Sequence, residues 1–208
     1  MSFSVQQAQS FLAPLIGKTS TFLLEDRRAN LDFARTVMAL LARNASASAI
    51  IDLDAFYSSN SDQVFSTTGI PTTEETIIRV PEPGADIESE FSTVFETQRK
   101  VIIIDSLNSF YHLISLDDGS ARNRKLTFAV ASLSYFAETN SRAVILTMYR
   151  REGFARGGTG RSISALSDLT ASVNTNGEKL TVRTERGPGW SVGTFSIRIP
   201  SGEPYRSP

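Results

Sequence analysis

The hexapeptide Val101-Ile102-Ile103-Ile104-Asp105-Ser106 constrains the fold more than any other stretch of the chain. An unbroken run of β-branched residues follows the polar Gln98-Arg99-Lys100 and ends on a carboxylate. Such a run reads as a strand buried on both faces, the kind found in parallel sheets. An Asp at the carboxyl end of that strand stands at the sheet edge where α/β proteins bind ligands. The plainer alternative is that Asp105 only ends the strand or caps the next helix.

In nucleotide hydrolases with a phosphate loop, an Asp in this position holds Mg²⁺ at the phosphates. The upstream chain therefore decides what Asp105 can do. Gly17-Lys18-Thr19 has the look of a phosphate-loop end, but Leu12 stands where the first glycine should be. A strand, Ser20 to Leu24, follows it where a helix is needed, so the tripeptide reads as a turn. After that strand comes Glu25-Asp26-Arg27-Arg28-Ala29-Asn30-Leu31-Asp32, then a helix through Phe33, Ala34, Val37, Met38, Leu40 and Leu41. With no glycine the backbone cannot easily form an anion nest. Glu25 and Asp26 would repel a triphosphate, an effect Arg27 and Arg28 only partly offset. The strand–loop–helix scaffold is there without its chemistry.

Along the rest of the chain the pattern alternates. A short amphipathic helix is expected from Ser4 to Ile16, ended by Pro14. Strands are expected at Ala47 to Asp54, Glu74 to Val80, and Ala143 to Met148. Ser58 to Asp62 reads as a polar loop, and a helix runs from about Ile87 to Thr97 after Pro81-Glu82-Pro83-Gly84. His112, the single histidine, lies among apolar neighbours and reads as a packed side chain rather than a catalyst. Leu116 to Lys125 reads as a mobile loop leading into a helix that ends near Thr139, with Leu126, Ala129, Val130, Leu133 and Phe136 on one face. Tyr149 to Arg161 combines glycines with arginines and two aromatics. Leu169 to Asn174, Lys179 to Thr184 and Ser191 to Ile199 then alternate around Asn176-Gly177 and Gly187-Pro188-Gly189, the signature of antiparallel hairpins. Ser201 to Pro208 is expected to fray.

Composition excludes several classes. The 208 residues suit one α/β domain, with no internal repeat and no clear internal boundary. No cysteine means no disulfide and no thiolate metal site, and one histidine argues against zinc sites and His-dependent triads. A net charge of −1 leaves nucleic-acid binding to a local patch. The start, Met1 to Gln6, lacks a basic region followed by an apolar run, and no stretch approaches the length of a membrane span. The expectation is a soluble intracellular protein, cytoplasmic or nuclear.

Taken together, the order resembles the ATPase core of the RecA/RadA recombinase superfamily over roughly Thr19 to Ile199. That leaves residues 1–18 as an N-terminal helix or extension and 200–208 as a flexible tail to a single domain. Val101 to Ser106 with Leu107-Asn108-Ser109-Phe110-Tyr111 looks like the Walker B strand and its exit. Ile51-Asp52-Leu53-Asp54-Ala55-Phe56 is similar to the family's Ile-Asp-Thr-Glu-Gly-Thr-Phe, which puts Asp54 in the place of the water-orienting glutamate, one methylene short. Arg122 to Lys125 matches the first DNA-binding loop, and Thr147 to Tyr149 the strand end before the second, which Gly157-Gly158 would close. The hairpins match an antiparallel C-terminal extension of a mostly parallel sheet flanked by helices.

The departure is the Walker A loop, where Glu25 to Asp32 shares nothing with G-x-x-x-x-G-K-[ST]. The resemblance then implies a RecA-like fold with no ATPase activity and no cofactor, ATP and Mg²⁺ included, with Asp54 and Asp105 as vestiges. It implies a non-catalytic RadA-like paralogue that binds single-stranded DNA (or RNA), a recombinase or another RecA-fold subunit. Such a protein would be an oligomeric accessory in homologous recombination and DNA repair, away from membranes. The expected nucleic-acid contacts are Arg122, Arg124, Lys125, Tyr149, Arg150, Arg151, Phe154, Arg156 and Arg161, arginines for phosphates and aromatics for bases. A rival expectation is a scaffold subunit like the RecA-fold proteins of Elongator, which assemble as a ring and support tRNA modification. A third is an ATPase with an unorthodox loop built on Arg27 or Arg28, disfavoured because arginine supplies neither the nest nor a hydroxyl for Mg²⁺.

Overall fold

The structure is a computed structural model and describes residues 5–44, 46–65, 76–79, 81, 87–96, 98–114, 119–150, 163–190 and 193–199. Eight strands form one sheet: β1 (Lys18–Leu24), β2 (Ser48–Asp52), β3 (Thr76–Arg79), β4 (Val101–Asp105), β5 (Ala143–Tyr149), β6 (Leu169–Thr175), β7 (Lys179–Arg186) and β8 (Thr194–Arg198). Their spatial order is β3-β2-β4-β5-β1-β6-β7-β8. Every pairing from β3 to β6 is parallel, and β7 and β8 add antiparallel strands at the far edge. This is the α/β class expected, a mostly parallel sheet extended by C-terminal hairpins.

The isoleucine run explains why β4 lies inside the sheet. Ile103 joins Ile50 and Ile145 in a core on one face, while Ile102 and Ile104 join Val144 and Leu146 on the other. All four apolar residues of β4 are at most 1% exposed, so each stabilises the fold by about 1.5–3 kcal/mol. The first face is covered by α1 (Val5–Leu12) and α2 (Arg27–Arg43), through Phe33, Val37, Leu40 and Leu41. Helices α3 (Phe56–Ser59) and α4 (Ser61–Phe65) add Tyr57 and Val64 to that side. The second face is covered by α5 (Ile87–Glu96), α6 (Leu107–Leu113) and α7 (Gly119–Asn140). No described helix is long and apolar enough to cross a membrane.

The helix expected from Ser4 to Ile16 is present as α1 with a short 3-10 turn at Ala13–Leu15, and it buries Ala8, Phe11, Leu12 and Leu15 in the main core. Two expectations change, the first at Ser58 to Asp62, which reads as a polar loop but lies in helices α3 and α4 on either side of Asn60. The loop expected through Lys125 is helical from Gly119 onward, and Leu126, Val130, Leu133 and Phe136 supply its inner face. Turn chemistry follows the sequence more closely. Gly17 adopts φ +71° before β1, and the sheet begins at Lys18 rather than Ser20.

Candidate functional site

Strands β1, β2, β4 and β5 all end at the same sheet edge, which is where parallel sheets build sites. A cleft of about 330 Å³ lies there. Its walls are Glu25, Asp26 and Arg27 after β1, Asp54 and Phe56 after β2, Ser106, Asn108, Ser109 and His112 after β4, and Tyr149 at the end of β5.

The β1–α2 connection has no loop to hold a phosphate. Only Glu25 and Asp26 separate β1 from α2, so Arg27, Arg28, Ala29 and Asn30 form the first helical turn. Asp26 is the N-cap, and its Oδ1 accepts from the Ala29 amide at 2.8 Å. The helix N-terminus that would attract an anion is thus occupied by the chain's own carboxylate. Arg28 turns away from the cleft toward the β6–β7 turn, where its guanidinium fills the space beside Gly177 at φ +86°. A side chain at Gly177 would collide with it. Arg27 is the arginine of this pair that faces the cleft. Asp26→Ala should cost about 1 kcal/mol in urea unfolding through loss of the cap.

Asn30, read from sequence as part of a degenerate loop, is a buried cross-link. Its Nδ2 donates to Asp105 Oδ2 at 3.0 Å and to the Tyr149 hydroxyl at 2.9 Å. The other oxygen of Asp105 accepts from Thr147 Oγ1. Both carboxyl oxygens are therefore engaged inside the protein, and the residue is fully buried. Burial raises the Asp105 carboxyl to about 7; the Thr147 and Asn30 hydrogen bonds oppose the rise, and Asp54 and Asp52 add to it. Burial, with Asp105 second, likewise pushes the Tyr149 phenol to about 12 and Tyr57 well above its usual value.

These residues do not fit a nucleotide-bound Mg²⁺. Asp105 is committed to Asn30 and Thr147, no glycine nest faces it among the described residues, and the α2 N-terminus is capped. Among the described residues no cluster of three or more His, Asp or Glu side chains is placed to hold a metal ion.

Asp54 is exposed at the cleft and accepts from Ser106 Oγ at 2.8 Å and from Ser109 Oγ. Ser106 also caps α6, accepting from the Ser109 amide. Asp52, a residue the sequence reading did not single out, is fully buried and binds the Phe56 amide at 2.6 Å and the Ser58 amide at 2.9 Å. It shapes the turn that presents Asp54. Asn108 was also missed; its Oδ1 accepts from the Tyr149 amide at 2.7 Å, tying α6 to the end of β5. The sequence offered Asp105 as a cap for the next helix, but Ser106 is the cap, and the partners of Asp54 and Asn108 lie dozens of residues away and leave no local signal.

The expected nucleic-acid contacts divide. Arg122, Arg124 and Lys125 lie on α7 rather than in a loop. Tyr149 is half-buried, packed against the core and hydrogen-bonded through its hydroxyl, so its ring is not an open stacking platform. Arg150 pairs with Glu185 at 2.9 Å. Arg151, Phe154, Arg156 and Arg161 lie outside the described residues. His112, expected to pack inside, is exposed and lines the cleft, because α6 turns that face outward. Neither a scan against protein-family models nor a search of curated proteins finds a match to this chain.

Proposed function

We propose that this chain is a non-catalytic relative of the RecA/RadA recombinases, binding single-stranded DNA or a recombinase partner as an accessory in recombination and repair. The mostly parallel sheet with its antiparallel C-terminal strands is the architecture the resemblance implies. The observation that carries the loss of catalysis is the pair of internal substitutes for nucleotide. Asp26 occupies the α2 N-terminus, and Asn30 with Thr147 occupies the Asp105 carboxylate. A triphosphate would have to displace both, against the charge of Glu25, Asp26 and Asp54.

The test is fluorescence anisotropy of labelled single-stranded DNA at two salt concentrations, with and without ATP. The reading expects salt-sensitive binding that ATP does not alter. Replacing Arg150, Arg151, Arg156 and Arg161 together with Ala should abolish that binding while circular dichroism stays unchanged. With about 0.7 log units of salt slope per phosphate contact on a single strand, losing the group removes up to about 3 from the slope. Unchanged affinity would sink the arginine assignment, and ATP-dependent binding would sink the non-catalytic one. The scaffold reading, a RecA-fold subunit of a ring, draws on Arg150 being paired with Glu185 rather than open to a phosphate. Absence of binding at low salt would favour it.

A further inference from the structure

Helix α7 carries a second ordered stripe on the side away from the core. Its inner face is Leu126, Val130, Leu133, Phe136 and Ala137. The outer stripe is Arg124, Phe128, Ala131, Tyr135 and Glu138, at spacings of four, three, four and three residues. That spacing keeps one narrow seam along about 21 Å of helix. Phe128 and Tyr135 are 74% and 72% exposed, and Phe95 of α5, stacked edge-on against Phe136, is 42% exposed beside them. Together they present roughly 400 Å² of aromatic surface, the size at which an exposed patch marks an interaction site. A groove of about 550 Å³ between Phe95, Phe128 and Tyr135 is wide enough to receive an aromatic side chain.

We propose that this face binds a second copy of the chain, with the two α7 helices antiparallel about a two-fold axis at Ala131. The charges carry the choice of occupant. Arg124 and Glu138 lie seven residues on either side of Ala131, so two-fold pairing sets each arginine against the other copy's glutamate. The same operation sets Phe128 against Tyr135 to within one residue. A parallel pairing would instead oppose Arg124 to Arg124 and Glu138 to Glu138. Ala131 at the crossing is small enough for the axes to approach to about 8 Å. The two aromatic patches with their charged rims approach the ~1,000 Å² of a specific interface, so a dissociation constant in the micromolar range is expected. This contact is isologous and closes at two copies, unlike a head-to-tail assembly.

Sedimentation equilibrium of the full chain from about 1 to 200 µM tests it, a range that brackets the micromolar constants expected. The expected result is a reversible rise from the 22.7 kDa monomer to twice that mass. Phe128→Asp should leave a monomer throughout with unchanged circular dichroism, since the side chain is exposed. Glu138→Arg should weaken association about tenfold or more by opposing like charges. Adding Arg124→Glu to it reverses both ends of the seam and should restore the dimer. A wild-type monomer at the highest concentration overturns the proposal. So does association that survives Phe128→Asp, or a double variant no tighter than Glu138→Arg alone.

Discussion

Urea unfolding of the wild-type chain is expected to show stability falling as pH rises from 5 to 8, and Asp105→Asn should remove most of that fall. The carboxyl goes from 3.8 in the unfolded chain to about 7 in the fold, with burial the main cause. A group raised in this way is protonated in the folded state and ionised in the unfolded one between those two values. The folded state then binds the extra proton, so stability is fully present below about 4 and is lost as pH climbs through 7. Three units correspond to a ceiling of about 4 kcal/mol, of which about 2–3 kcal/mol falls between pH 5 and 8. Asparagine keeps the shape and carries no charge, so the variant should equal or exceed the wild type at pH 8. A wild-type stability that is flat or rising over this range would mean the carboxyl is ionised in the fold, with the Thr147 and Asn30 hydrogen bonds outweighing burial. An equal slope in the variant would assign the titration to another group.

Phe11→Ala should cost about 3–5 kcal/mol, the usual loss for a buried phenylalanine. Phe11 is 1% exposed and its ring lies 5.3 Å from Phe195, 5.8 Å from Trp190 and 6.3 Å from Phe22. It joins α1 to β1 and to the antiparallel edge of the sheet, so truncation opens a cavity at a three-way junction. Thermal or urea unfolding measures the loss. A change below 1 kcal/mol would show that α1 contributes little to the stability of the sheet.

The class of fold was legible because burial on both faces writes itself into composition. Val101 to Ile104 and Ala143 to Leu146 are apolar without interruption, as only strands covered on two sides need to be. The hairpin turns at Asn176-Gly177 and Gly187 to Gly189 were legible too, because glycine answers a backbone demand that is local. Helix α7 was legible in its inner face and wrong at its start. Ala121 to Lys125 is polar because that turn is solvated, and polarity alone does not distinguish a solvated helix from a loop.

The site was legible only as a place. An acid at the end of a buried strand and the missing glycines of the phosphate loop are properties of short segments, and both follow from the residues themselves. What Asp105 binds was decided by tertiary structure, since Asn30 stands 75 residues before it and Tyr149 is 119 residues from Asn30. Asp54 meets Ser109 across 55 residues in the same way. Hydrogen bonds over such separations depend on which strands lie adjacent, and strand order is set by the packing of whole faces. Sequence by itself determined the strands, the hairpin turns and the absence of a phosphate nest after β1. Only the folded sheet decided that a helix would take the loop's place, with Asn30 as the partner of the buried acid.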